Sequence, residues 1–208
     1  MKTALEKNKK YSNKYVQKKG ELNIPQLIKT ALKGSKKIID LGCGYGHLLQ
    51  SIQKKYPKKK LFGVEISPVR VNSLKENIKG DFKCADVCKT GFKDNSFDLT
   101  ISTQVIEHLS DDKQLVEELS RITKKNGHVY VTSVIKKPGA IYKYRNNGKF
   151  VLDPTHEKEY KNKEEFLDLF KEKFKLIKGQ IYPVKRKFLG IELKIPGYYI
   201  IEGLWIKK

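Results

Sequence analysis

The stretch Ile38-Ile39-Asp40-Leu41-Gly42-Cys43-Gly44-Tyr45-Gly46 decides the fold class of this chain. A short apolar run ending in an acid reads as a buried strand. Glycines at alternate positions then turn the chain into His47–Ile52, whose apolar residues have helical spacing. Without Cβ atoms such a turn can pass close to a ligand. The helix behind it aims its unpaired N–H groups at the same place, which suits a carboxylate or phosphate. The spacing departs from the dinucleotide fingerprint, because His47 stands where that pattern has its third glycine.

Three further segments extend the pattern. Leu61-Phe62-Gly63-Val64-Glu65-Ile66 ends a second strand in an acid about 20 residues past the glycines. At that distance a carboxylate meets ribose hydroxyls and accepts from both. Cys84-Ala85-Asp86-Val87 puts an acid after a third short strand. Ser96–Thr103 reads as a fourth buried strand, followed by Gln104-Val105-Ile106-Glu107-His108-Leu109.

With these segments in this order, residues Leu27 to Phe174 resemble the class I S-adenosylmethionine-dependent methyltransferases of the small-molecule, type 11-like group. D-L-G-C-G-Y-G is similar to their motif I, and the end of the fourth strand is similar to motif IV. The resemblance implies an α/β Rossmann-like fold: a seven-stranded, mostly parallel sheet with an antiparallel C-terminal hairpin and helices on both faces. It implies S-adenosyl-L-methionine as cofactor. Gly42 and Gly44 would give close backbone approach, and Asp40 would order the loop and the cofactor's ammonium end. Glu65 would bind ribose and Ile66 would pack on adenine. Asp86 and the Val87 backbone would hold the adenine edge, while Thr103 and Gln104 would approach the methionine part. The sulfonium is already activated, so this chemistry calls for no metal.

The remainder of the chain reads as helices alternating with strands, the pattern of a parallel sheet covered on both faces. Leu27, Ile28, Ala31 and Leu32 share one helical face, and Leu48, Leu49, Ile52 and Tyr56 another, which Pro57 ends. Ser67-Pro68 provides an N-cap and proline at the first helical position. Asp111 or Asp112 caps a helix buried through Leu115, Val116, Leu119 and Ile122 and stopped by Asn126-Gly127. His128–Val134 is a fifth strand. Glu165–Phe174 reads as a helix with Phe166, Leu167, Phe170 and Phe174 on one side, and Phe174–Tyr182 with Tyr198–Ile206 as the closing strand pair. Residues 1–208 are expected to form one domain, with an N-terminal helical segment and a substrate-side loop over 135–162.

Composition narrows the function. No apolar stretch approaches the roughly 20 residues of a membrane span. The N-terminus has no apolar signal core, and Cys43, Cys84 and Cys88 suit reduced thiols, so a cytoplasmic location is expected. The net charge is +21, yet forty of the 44 basic residues are lysine, where phosphate recognition favours arginine. Met1–Lys37 holds eleven lysines against Glu6 and Glu21, and Lys136–Lys149 adds Lys137, Lys143 and Arg145 with no acid. These stretches could steer an anionic acceptor.

The long 135–162 connection is suspect as a functional loop. It holds Tyr142, Tyr144, Tyr160 and Asp153-Pro154-Thr155-His156, a stretch similar to one that lies over the acceptor pocket in small-molecule members of the family. His156 is the candidate base. His108 reads as structural, His47 as lying at the helix start, His128 as part of a strand, and Tyr11 and Tyr15 as amphipathic contacts. No N/D-P-P-Y motif follows the fourth strand and no Pro-Cys nucleophile is present, which removes two nucleic-acid chemistries. The leading expectation is methyl transfer to a small-molecule, lipid or sugar-derived acceptor at oxygen. RNA methylation through the basic surface and a non-catalytic cofactor-binding module are the alternatives.

Overall fold

A computed structural model describes residues 6, 9–10, 23–137, 144–146, 148–188 and 191–208. Tyr11, Tyr15, Tyr142 and Lys143 lie outside the described residues. Five strands, β1 (Lys37–Leu41), β2 (Lys60–Glu65), β3 (Asp81–Cys84), β4 (Phe97–Thr103) and β5 (Thr123–Lys136), run parallel; β9 (Ile191–Lys207) joins β5 antiparallel, and β8 (Phe174–Phe188) pairs antiparallel with β9 and so runs in the direction of the five. The seven-stranded order is β3-β2-β1-β4-β5-β9-β8, so β9 returns between β5 and β8 as an edge-closing hairpin. Within 135–162 a small separate ribbon pairs β6 (Tyr144–Asn146) with β7 (Lys149–Val151).

Both faces of the sheet are covered, which is why β1, β2 and β4 are buried in near-continuous runs instead of alternating. Ile38 packs with α1 (Gln26–Leu32), α2 (His47–Lys55) and α3 (Pro68–Asn77), through Leu27, Ile28, Leu48, Leu49, Ile52, Val71 and Leu74. Ile39 and Leu41 point to the other face, against Leu115, Val116, Leu119 and Ile122 of α4 (Asp112–Ile122) and Phe166 of α5 (Lys163–Asp168). The expected caps form: the Ser67 hydroxyl accepts from the Arg70 N–H with Pro68 at N1, and Asp111 accepts from the Lys113 N–H.

Three boundaries differ from the sequence reading. α4 stops at Ile122, ahead of Asn126-Gly127, because Thr123 turns extended and pairs with Phe97 at the foot of β4; Asn126 instead takes a left-handed turn (φ 61°) inside β5. α5 covers six residues, and Phe174 opens β8. Phe170 and Phe174 are nonetheless buried, Phe170 stacked on Trp205 of β9 and Phe174 tilted against Phe170. The aromatic spacing that suggests a longer helix records burial under that indole. The final strands also extend well past the expected segments, because they keep pairing with each other beyond the edge of β5.

Trp205, the single tryptophan, lies over Gly203, two residues earlier on the same face, and stacks on Phe170 with ring centroids 4.2 Å apart. A Cβ on Gly203 would stand 2.1 Å from the indole. Gly203→Ala should therefore push the ring off Phe170 and cost about 1–3 kcal/mol, as overpacking does. A lowered urea midpoint with a changed Trp205 emission before unfolding is the expected result, and an unchanged midpoint would contradict it.

Candidate functional site

The site lies at the carboxyl ends of β1 and β4, where the strand order reverses, the place where open α/β sheets bind ligands. Gly42, Gly44 and Gly46 all have left-handed backbone (φ 78°, 56° and 75°), but they serve different ends. A Cβ on Gly42 would stand 2.4 Å from Val105, and one on Gly46 would stand 2.4 Å from Leu74 and from Ile78, so these two let the turn seat on its neighbours. Among the described residues a Cβ on Gly44 would meet only Arg70, at 3.9 Å. Its side of the turn is open, as a cradle for a ligand requires.

Glu65 ties this turn to the next one. One carboxylate oxygen accepts from the Gly44 N–H at 3.0 Å and the other from the Ser67 N–H at 3.0 Å, with the Arg70 guanidinium 3.8 Å away. A carboxylate oxygen has capacity for a second donor, so Glu65 can hold the turns and still accept from a diol. Behind it, Asp40 is 2 % exposed and its Oδ1 has no hydrogen-bond partner among the described residues. Burial, reinforced by the charge of Glu65, pushes its carboxyl up to about 7. Both ring nitrogens of His47, at the start of α2, are also shielded from solvent without a partner. Buried polar groups left unsatisfied at the rim of an open cradle fit a cationic, polar ligand such as the amino-acid end of S-adenosyl-L-methionine.

The other expected residues line the same end of the sheet. Ile66 is half-buried after β2. Asp86 closes a turn after β3, accepting from the Cys88 N–H at 2.8 Å, and Val87 is buried. Thr103 ends β4, and Gln104 follows with φ 56°, its N–H directed to the Thr132 carbonyl at 3.2 Å. A non-glycine residue held at positive φ is a strain that clusters at functional sites.

The 152–160 segment folds back on this end. Asp153 accepts from the Thr155 N–H at 2.8 Å, and the N–H groups of Glu157 and Lys158 reach the Glu107 carbonyl at 2.9 and 3.1 Å. Tyr160 and Lys158 both bind the Asp112 carboxylate, anchoring the segment to α4. His156 is thereby buried, 6 % exposed, with Nδ1 2.7 Å from Glu159, and its ring lies 4.9 Å from that of His108. His108, read as structural from the sequence, contacts the Thr155 hydroxyl at 3.0 Å through Nδ1. Burial, then the neighbouring His156, lowers its pKa. Glu107 between them is fully buried, takes the Ser133 hydroxyl at 3.1 Å, and is pushed up to about 7 by burial. The sequence reading overlooked Glu107 and Glu159. The Glu107-His108 pair was visible, but nothing local announced that His156 would close on it.

Comparison with known proteins agrees with this geometry. Residues 39–131 match the family model described as a methyltransferase domain. An uncharacterised methyltransferase of Schizosaccharomyces pombe is 30% identical over 110 residues, 47% of this chain and 40% of that protein. The chloroplastic tocopherol O-methyltransferase of Arabidopsis thaliana is 32% identical over 108 residues, 49% of this chain and 31% of that protein. The chain thus spans less than half the length of these relatives. The structure of geranyl diphosphate C-methyltransferase from Streptomyces coelicolor, in a complex that includes S-adenosyl-L-homocysteine, shares the fold with a TM-score of 0.71 at 12% identity, covering 100% of this chain and 98% of that one. The fold and the order of motifs are those of class I S-adenosylmethionine-dependent methyltransferases, and residues 39–131 carry the match to the methyltransferase-domain model. The cofactor of that class is S-adenosyl-L-methionine.

The raised carboxyl of Asp40 carries a stability consequence. Unfolded, the group ionises near 4; folded, it stays protonated up to about 7. Its contribution is therefore present below about pH 4 and is lost as pH rises to about 7. Asp40→Asn removes that loss, so the cofactor-free variant should exceed the parent at pH 8 by up to about 4 kcal/mol, with a much smaller difference at pH 5. Urea midpoints at the two pH values check this, and a variant weaker than the parent at pH 8 would contradict it.

Proposed function

We propose that this protein transfers the methyl group of S-adenosyl-L-methionine to an oxygen of a small-molecule, lipid or sugar-derived acceptor. The observation that carries the reading is the pairing of an open cofactor cradle at Gly44, Asp40 and Glu65 with a buried polar group at Glu107, His108 and His156. Val105, which packs over Gly42, joins the two directly. In this reading Asp40 faces the ammonium end, Glu65 the ribose, and Ile66, Asp86 and Val87 the adenine. Thr103 and Gln104 lie beside the methionine part.

The acceptor oxygen attacks the methyl carbon as the carbon–sulfur bond breaks. The electron pair stays on sulfur, and S-adenosyl-L-homocysteine leaves. Holding the two atoms about 3–3.5 Å apart and in line supplies most of the rate. The acceptor's proton goes to His156, whose ring Glu159 orients as a carboxylate orients a general base. The 32% identity to a tocopherol O-methyltransferase over 49% of the chain favours an oxygen acceptor over the nitrogen of the ajmaline N-methyltransferase, which is 27% identical over 50%. Among the described residues no helix is long and apolar enough to cross a membrane, so the acceptor is met from water or at a surface.

Radiolabelled methyl from S-adenosyl-L-methionine offered with fractionated cell extract should appear in small organics or lipids. Label confined to nuclease-sensitive RNA would sink this acceptor class and give the lysine-rich surface a binding role. Glu65→Ala removes charge-assisted hydrogen bonds worth about 1.5–3 kcal/mol, so calorimetry should show cofactor affinity ten- to hundredfold weaker. An unchanged affinity would remove Glu65 from the site.

A further inference from the structure

We propose that Glu107, His108 and His156 bind a divalent first-row transition-metal ion. Each offers one ligand atom, and the three atoms lie within 4.8 Å of one another. Ligands about 2.0–2.2 Å from one ion in tetrahedral or octahedral arrangement stand about 3–3.5 Å apart, so binding draws the widest-spaced pair together by up to about 1.5 Å. Two imidazoles and a carboxylate suit zinc, manganese, iron or cobalt and leave coordination positions open.

The surroundings are those of a built site. Metal-binding side chains are characteristically held by hydrogen bonds on their far side, and each of the three has one. Ser133 donates to Glu107 Oε2 at 3.1 Å, Thr155 meets His108 Nδ1 at 3.0 Å, and Glu159 meets His156 Nδ1 at 2.7 Å. Glu107 is fully buried and, among the described residues, its other oxygen, Oε1, has no hydrogen-bond partner; Glu159 Oε2 is likewise shielded without one. Carboxylate oxygens in that condition call for a cation. Lys158, two residues past His156, is engaged elsewhere, on Asp112 at 2.6 Å. Glu118 shows what a structural buried acid looks like in this fold: it takes the Thr90 N–H and hydroxyl and two contacts from Arg121. His108 keeps partial exposure, which gives an ion a way in.

The inference rests on the methyl-transfer reading for its purpose and gives His156 a ligand's role in place of a base's. A hydroxyl acceptor seated on the ion loses its proton to water more readily than in solution. Its oxygen then takes the methyl group as the carbon–sulfur bond breaks.

The test uses the full chain, without a polyhistidine tag and stripped with a chelator, titrated with Co²⁺ and read by visible absorption. One equivalent should bind, and Glu107→Gln should weaken binding at least tenfold. Glu159→Ala, which removes the orienting carboxylate together with its contact to the Leu152 N–H, should weaken it about ten- to hundredfold. S-adenosyl-L-methionine affinity, measured by calorimetry on the same samples, should stay within twofold and so report intact folding. Absence of Co²⁺ binding, or binding indifferent to Glu107→Gln, overturns the metal site. Methyl transfer that survives chelation overturns its catalytic role and leaves His156 as the base. Loss of cofactor binding by the parent chain would instead overturn the methyltransferase reading.

Discussion

The carboxylate of Glu65 holds the site together. It stands at the tip of β2, out of water, and reaches back to the Gly44 N–H on the turn after β1 and forward to the Ser67 N–H at the head of α3. Both turns consist of backbone that neither strand nor helix satisfies, and one side chain serves both. The turn can accept that tie only because Gly42 and Gly46 seat it against Val105, Leu74 and Ile78, contacts that a Cβ would break. The charge that binds the loops together is also the charge that disfavours ionisation of Asp40 beside it.

Among the described residues, the acids whose ionisation the fold shifts fall into two groups. Burial alone would raise Glu118 and Asp98, yet donors overcome it and both are held below the usual carboxylate range. Arg121 and Thr90 do so for Glu118, and Lys124 with the Lys37 and Lys36 N–H groups for Asp98. These acids tie α4 and the foot of β4 to their surroundings at the end of the sheet away from the cradle. Asp40 and Glu107 are fully shielded, each keeps an oxygen without a donor, and both are pushed up to about 7. An unsatisfied buried carboxyl costs stability, and this fold concentrates that cost at the carboxyl ends of β1 and β4. Strain and desolvation of this kind are usual where a protein keeps a place ready for a charged partner.

Where sequence reading and structure part, the cause is tertiary pairing. Thr123 has helical neighbours on one side, but it meets Phe97 across the sheet and joins β5. Phe170 and Phe174 have helical spacing from Phe166, yet Trp205 of β9 gathers them without a helix beneath them. The cradle was readable because its elements are local: acid, glycines and helix start follow one another within a few residues, and each later acid marks the end of its own apolar run. The group around Glu107 was not. Thr155, whose hydroxyl meets His108, comes 47 residues later, and the contact depends on how a segment without regular structure docks against α4.

The order of strands, the two-faced core and the cofactor cradle therefore follow from the chain's own pattern, since apolar runs, glycines and strand-end acids express short-range constraints that any sequence displays directly. Which acids remain unsatisfied, and which histidines share a pocket with them, came only with the tertiary structure. Burial and partner supply are properties of the packed molecule: a glutamate in a sequence looks the same whether an arginine or nothing faces it after folding.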